Sequence, residues 1–255
     1  MKCEGNTWIW TGGGGANGNW NNSVNWGSAG IPGNGDTVVF QGSSGLNNTN
    51  NIANLTLNQI HFISAGFNIY GNAFTVTNSI VATNFSGNAS IYNTLTNGTA
   101  TLFLLISNNI TLTLYGNLNG PGGVTKEGLG TVTYNGPVNN NYPGTTLVSA
   151  GTLQLNVGGV NAFLGPLVIG DGSGTGTPVV RDLQFQEIPD SGSVTVNLNG
   201  LLDLNNFNET IGSLTLQGST VSTPSTSACT QRTSCTGTWS CPCAASCLRP
   251  PPPNS

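Results

Sequence analysis

Apolar residues alternate with Thr, Ser or Asn in short runs that recur along the chain as far as about residue 221. Alternation with a period of two is typical of β-strands that bury one face. The three-and-four apolar spacing of an amphipathic helix is not sustained over ten residues anywhere, because Gly, Asn and β-branched residues interrupt it. The pattern predicts an all-β protein with strands at 37–40, 52–57, 74–77, 110–114, 131–134, 152–155, 167–169, 194–198, 201–204 and 213–216.

Two all-β architectures fit these strands. Asn-Gly and Gly-Pro turns separate them at irregular intervals of roughly 12 to 22 residues, as in a solenoid whose coils have variable turns. Asn recurs beside the strand ends, where stacked amides form hydrogen-bond ladders between coils. We therefore predict a parallel β-helix, with an antiparallel β-sandwich as the alternative.

A specific motif lies between residues 122 and 155. The chain reads Gly-Gly-Val-x-Lys-x-Gly-x-Gly-Thr from residue 122, Asn-Tyr-Pro-Gly from residue 141 and Gly-Thr-Leu-x-Leu from residue 151. This segment resembles the autotransporter-associated β-strand repeat of bacterial surface proteins, although its middle part is two residues longer and the pattern occurs once. Residues 186–214 are similar to the segment that follows this repeat, and residues 8–40 to the start of such arrays.

The resemblance implies a right-handed parallel β-helix in a secreted or surface-displayed passenger, with no catalytic residues. Within the motif, glycines permit tight corners where a Cβ atom would clash. We expect Lys126 and Glu127 to form a solvated pair. We expect Tyr142 to cover a corner of a coil and to keep its hydroxyl group in water.

The chain divides into three predicted regions. Residues 1–62 form an N-terminal capping region with the first strands, residues 63–223 form the β-helix repeat region, and residues 224–255 form a Cys/Pro-rich tail that is disordered or read in a shifted frame. The abrupt loss of Asn after Asn208 motivates the frame-shift hypothesis. No signal peptide is visible at Met1, and a secreted protein of this kind needs one, so either the true start lies upstream or this chain is a fragment.

The cysteines concentrate in this tail. Cys241, Cys243 and Cys247 have no histidine beside them, and their spacing differs from paired CxxC zinc sites. We predict no metal site there, and the alternative for these cysteines is a tail that is cross-linked by disulfides. The other cysteines are Cys3, Cys229 and Cys235.

Charge is scarce, which excludes several classes of function. Charged residues make up 5% of the chain, and five Lys and Arg residues with a net charge of −4 build no surface for nucleic acid. The densest apolar run, residues 102–106, is far too short to span a bilayer. We predict neither nucleic-acid binding nor membrane insertion by this chain.

Catalytic chemistry has few candidates. The one histidine, His61, lies in a strand-like context without partners, and we interpret it as a surface strand residue. Glycoside hydrolysis needs two carboxylates at a fixed separation. Asp171, Asp182, Glu187 and Asp190 are the acids close enough in sequence to supply them.

The leading prediction is a structural or adhesive passenger fragment of a secreted or cell-surface protein, without catalysis and without catalytic, cofactor-binding or metal-binding residues. Its expected partners are surface glycans or the surfaces of host or neighbouring cells. The alternative is a carbohydrate-active β-helix that uses the acids between residues 171 and 190. A third hypothesis is a nonfunctional gene fragment.

Overall fold

The chain folds as a parallel β-solenoid. The computed structural model describes residues 5–158, 161–172, 176–217, 220–222 and 239–241, the last two segments by their backbone alone. Over these residues the strands stack in about eight turns with almost no helix. This confirms the predicted all-β parallel β-helix, and the antiparallel sandwich is wrong.

Sheet 1 forms one long side of the solenoid. Along the axis its parallel strands follow the order β1-β2-β4-β6-β9-β12-β14-β16-β18-β21, and β8 and β11 join it through the first half of β6. The strands are β1 (Thr7–Trp10), β2 (Thr37–Phe40), β4 (Thr56–Phe62), β6 (Phe74–Ala82), β8 (Leu95–Asn97), β9 (Leu102–Ile106), β11 (Leu118–Asn119), β12 (Val124–Glu127), β14 (Thr146–Val148), β16 (Leu167–Ile169), β18 (Ser193–Val196) and β21 (Ser213–Leu216).

Sheet 2 forms the opposite side. Its parallel strands are β3 (Asn47–Asn50), β5 (Asn68–Gly71), β7 (Gly87–Ile91), β10 (Ile110–Leu114), β13 (Thr131–Tyr134), β15 (Thr152–Leu155), β17 (Val179–Asp182), β19 (Leu201–Asp203) and β22 (Thr220–Ser222). A separate antiparallel pair joins β20 (Glu209–Ile211) to β23 (Trp239–Cys241). The one helix among the described residues is a 3₁₀ turn at Ser23–Trp26, and no described helix has the length and apolarity needed to cross a membrane.

Successive coils stack in register, so that equivalent residues form rows parallel to the axis. Thr37 pairs with Gln59, which pairs with Ser79 in the following coil. Side-chain hydrogen bonds between adjacent coils join residues far apart in sequence, such as Gln59 and Ser79 at 20 positions and Glu187 and Val157 at 30. Because side chains alternate along each strand, one set of rows faces the core and the other faces solvent.

The first strand of sheet 2 lacks the sequence pattern of a strand. β3 has the sequence Asn-Asn-Thr-Asn and no apolar residue, yet Asn48 and Asn50 are both fully buried. The Asn50 amide donates to the carbonyl oxygen of Asn72 at 3.0 Å, and the Asn48 oxygen accepts from Trp20 Nε1 at 2.7 Å. Buried amides with such partners take inward positions that normally hold aliphatic residues.

An aromatic cluster closes the N-terminal end of the core. Trp10, Trp20 and Trp26 are buried, and Trp26 packs edge-on against the other two. All three rings lie tilted against Phe40. The indole nitrogen of Trp26 donates to the carbonyl oxygen of Trp20 at 2.8 Å. These tryptophans therefore cover the core of the first described coil, as capping residues of a solenoid do.

Two expectations within the repeat motif are wrong, because Lys126 and Tyr142 point inward. Lys126 is fully buried, and its Nζ atom donates to the carbonyl oxygens of Glu127, Gly128 and Ala150 at 3.1, 2.6 and 2.9 Å. Burial lowers the pKa of Lys126 to about 7, although the nearby Glu127 carboxylate raises it.

Tyr142 is also fully buried, with its hydroxyl group 2.8 Å from Thr146 Oγ1 and 3.2 Å from the Tyr134 hydroxyl. The hydroxyl group therefore lies in the core with two polar partners, and not in water.

Coil stacking continues across the predicted boundary between residues 62 and 63, which lies between β4 and β5. That boundary stays a prediction. Of the predicted tail, the backbone of β23 alone is described. The predicted disorder or frame shift of residues 224–255 otherwise concerns positions outside the described residues. The cysteine predictions fall outside the described side chains: Cys3, Cys229, Cys235, Cys241, Cys243 and Cys247.

Candidate functional site

The acids singled out in the sequence do not form an open cleft of paired carboxylates. Asp182 and Glu187 are both fully buried, whereas Asp171 and Asp190 are exposed. The Glu187 carboxylate accepts hydrogen bonds from the backbone N–H of Val157 at 2.9 and 3.0 Å. Asp182 and Glu187 are therefore closed off from a polymer at the surface.

His61 lies on the outward row of β4, as predicted. Its Nε2 atom is 2.8 Å from Thr83 Oγ1 in the next coil, and burial lowers the pKa of its imidazole. The ring is therefore neutral at pH 7 and contacts a hydroxyl group. Among the described residues, no group of three or more His, Cys, Asp or Glu side chains is placed to hold a metal ion.

A continuous surface feature is a row of large polar side chains at or near the end of the strands of sheet 2. Tyr70, Tyr92 and Tyr115 follow one another in successive coils, with ring centroids 4.4 and 4.3 Å apart and interplanar angles of 19° and 3°. Tyr70 and Tyr92 are 36% and 38% exposed. The three rings form an aromatic ladder on the surface.

Amide side chains continue this row in the next three coils. Leu114 pairs with Tyr134, which places Asn135 beside Tyr115. Asn156 Nδ2 donates to Asn135 Oδ1 at 2.5 Å, and Gln184 Nε2 donates to Asn156 Oδ1 at 3.1 Å. We call the row of six residues the axial strip: Tyr70, Tyr92, Tyr115, Asn135, Asn156 and Gln184.

The backbone fixes the position of the axial strip. The N–H of Tyr92 donates to the carbonyl oxygen of Ile69 at 2.8 Å, and the N–H of Tyr115 donates to that of Ile91 at 2.8 Å. The backbone N–H groups of Asn135 and Asn156, which likewise directly follow a strand, make the same bond to the coil before. Tyr70 lies within β5, and Gln184 lies two residues after the end of β17. Neighbouring strip residues are then separated by the inter-strand spacing, ~4.8 Å.

The axial strip is uncharged. Burial in the stack and the adjacent hydroxyl groups of Tyr70 and Tyr115 raise the pKa of Tyr92 to about 12, so this phenol stays protonated at neutral pH. The remaining members are amides. The strip can therefore donate and accept hydrogen bonds along its length without attracting ions.

A second surface feature is a groove of about 570 Å³ beside β1. Asp36 organises its wall, because its carboxylate accepts from Trp8 Nε1 at 2.6 Å and from the N–H of Asn6 at 2.7 Å. The described lining of the groove has no charged side chain and consists of Asn6, Thr7, Trp8, Ile9, Thr11, Trp26, Gly27, Ala29 and Gln41.

Sequence reasoning missed the axial strip, although its signal is present. Tyr70, Tyr92 and Tyr115 recur once per coil, but the coil length is unknown until the strands are paired. Comparison of the chain with protein-family models, with curated proteins and with solved structures finds no match.

Proposed function

We propose that this chain is a structural or adhesive element of a secreted or surface-displayed bacterial protein, and that it performs no catalysis. The axial strip is the observation that carries the proposal, because it places an uncharged polar side chain in each of six successive coils. The resemblance of residues 122–155 to the autotransporter-associated repeat supports the surface location.

The physical basis of adhesion is repetition. A single exposed phenol or amide binds weakly, because water competes for its hydrogen bonds. A ligand that engages several strip residues at once gains effective concentration at each later contact. Because the strip is linear and uncharged, an extended neutral glycan on a cell surface matches its shape and chemistry.

The alternative function, cleavage of a polysaccharide by the acids between residues 171 and 190, has less support. Asp182 and Glu187 are buried, and Glu187 is committed to backbone N–H groups. A panel of polysaccharides assayed for new reducing ends tests this alternative. Turnover of any polysaccharide would contradict the proposal of a non-catalytic protein.

Retention of the full chain on immobilised neutral cell-surface glycans tests the adhesive function. We expect Tyr92→Ala to weaken retention by about tenfold or more, because it interrupts the middle of the aromatic ladder and removes cooperation between its two halves.

Phe103→Ala is the matched control for Tyr92→Ala, since Phe103 is 37% exposed but lies on the outer face of sheet 1. The control should bind like the parent protein. Failure of the parent chain to bind any glycan or cell surface, or equal losses in the two variants, would contradict adhesion through the strip.

A further inference from the structure

Four acidic side chains are buried together in the coils that contain β17, β19 and β20. Asp182 and Glu187 are 0% exposed, Glu209 is 4% exposed and Asp203 is 7% exposed. The carboxyl groups of Glu209, Glu187 and Asp203 all act electrostatically on Asp182. We call these four residues the acid cluster.

Three members of the acid cluster accept hydrogen bonds from neighbouring groups. Glu187 accepts from the backbone N–H of Val157, and Glu209 accepts from the backbone N–H of Glu187 and of Ile188, both at 2.9 Å. Asp203 pairs with Arg181 Nε at 2.7 Å. Through these bonds the acid cluster ties three neighbouring coils together.

Asp182 differs from the other members. Both of its carboxyl oxygens are buried and have no hydrogen-bond partner. The charged residues that act on Asp182, namely Glu187, Asp203 and Glu209, are all acidic. Among the described residues the one cation nearby, Arg181, is already paired with Asp203. An ionised carboxylate without a partner is strongly disfavoured in such an environment.

We propose that the acid cluster is a pH-sensitive clasp, which holds the coils of β17, β19 and β20 closed while it retains protons and loosens them when the protons leave. The geometry supports this role, because the same carboxyl groups that join the coils also repel one another once ionised.

The direction of the pH dependence follows from the titration of these groups. Burial, reinforced by Glu209, Glu187 and Asp203, raises the pKa of Asp182 well above its usual range. Burial raises the pKa of Glu209 from 4.5 to about 7, against the backbone hydrogen bonds that lower it and with a further rise from Glu187 and Asp190. The folded state therefore binds more protons than the unfolded state between pH 4.5 and about 7.

Stability from Glu209 is fully present below pH 4.5 and is lost as the pH rises through about 7. One such proton changes the opening equilibrium by about tenfold per pH unit. Between pH 4.5 and 7, Glu209 alone accounts for an increase of roughly 80-fold in local opening, because each state is half-protonated at its own pKa. Asp182, whose pKa is also raised, adds to this increase in the same direction.

Hydrogen–deuterium exchange with mass spectrometry tests the clasp in the full chain. Peptides from 179–211 are compared with peptides from 87–114 in the same sample, which cancels the intrinsic effect of pH on exchange. We expect the ratio of opening in the two segments to rise by at least 100-fold between pH 4.5 and 7, on the basis of the titration above. An unchanged ratio in the parent protein would overturn the proposal without any variant.

Two neutralising substitutions, Asp182→Asn and Glu209→Gln, should each reduce this rise by at least tenfold, because each removes one titrating group. Glu127→Gln is the control, since it makes the same change of charge in β12, outside the acid cluster. It should leave the rise intact. An undiminished rise in both cluster variants would also overturn the proposal.

Discussion

Replacing Gly128 with alanine tests how closely adjacent coils approach one another at a corner. Gly128 has φ of 73°, and a Cβ atom placed on it would overlap the backbone carbonyl group of Ile106 in the preceding coil. That carbonyl oxygen also accepts the N–H of Gly130 at 2.9 Å, so it has little freedom to move. Gly158 offers a matched comparison, because its φ is 74° and a Cβ atom on it would meet no described atom within 4 Å.

The two glycines separate backbone strain from overlap between coils. An alanine in the left-handed region costs about 1–2 kcal/mol at either position. At Gly128 the overlap adds about 1–3 kcal/mol of overpacking and weakens the hydrogen bond of Gly130. We expect Gly128→Ala to lower the free energy of unfolding by about 3 kcal/mol or more, and Gly158→Ala by about 1–2 kcal/mol.

Urea unfolding followed by far-ultraviolet circular dichroism measures both variants against the parent protein. The midpoint shift at constant slope gives the change in free energy. The expected difference between the variants is about 2 kcal/mol, set by the overlap. Equal midpoints for the two variants would refute close backbone approach at this corner, because strain alone acts at both positions.

Two further predictions concern buried polar groups of the repeat motif. Tyr142→Phe should cost about 1–3 kcal/mol in urea unfolding, because it leaves the buried hydroxyl groups of Tyr134 and Thr146 without this partner; an unchanged midpoint would contradict the buried bonds. Lys126, whose pKa burial lowers to about 7, binds fewer protons in the folded than in the unfolded state between pH 7 and 10.5. Its contribution to stability should therefore rise with pH over that range, and Lys126→Met, compared at pH 7 and 9, should remove that rise.

Strand content and parallel stacking were accessible from the sequence because they depend on local alternation and turn residues. β10, β13 and β15 lie where the Thr-apolar alternation predicts them. β3 was not predicted, because its inward positions hold Asn48 and Asn50 and the strand therefore shows no alternation of apolar and polar residues. Where an amide has a hydrogen-bond partner in the next coil, the alternation of positions along a strand predicts which side chains face the core better than their polarity does.

Lys126 illustrates the same limit. It lies two residues after Val124 in β12, so alternation places it on the inward face, whereas its charge suggested a solvated position. The carbonyl oxygen of Ala150 that helps to solvate its ammonium group is 24 positions away in sequence. Partners at such separations become visible only when the coils are stacked.

The acid cluster and the axial strip were hidden for a related reason. Glu187 and Glu209 lie 21 to 30 positions from the backbone amides they bind. Neighbouring residues of the axial strip lie 20 to 28 positions apart. The sequence supplied Asp182 and Glu187 as candidate acids but carried no sign that both are enclosed.

In-register stacking also bears on how such a chain changes over generations. Since Thr37, Gln59 and Ser79 occupy equivalent positions in consecutive coils, each coil presents to the next coil a pairing edge like the one it pairs with itself. Duplication or excision of one whole coil restores pairing on both sides, whereas gain or loss of a single residue within a strand inverts every following side chain of that strand. Recombination in steps of one coil therefore lengthens or shortens the solenoid at little structural cost. The length of the solenoid can change by inheritance independently of the chemistry of its surface.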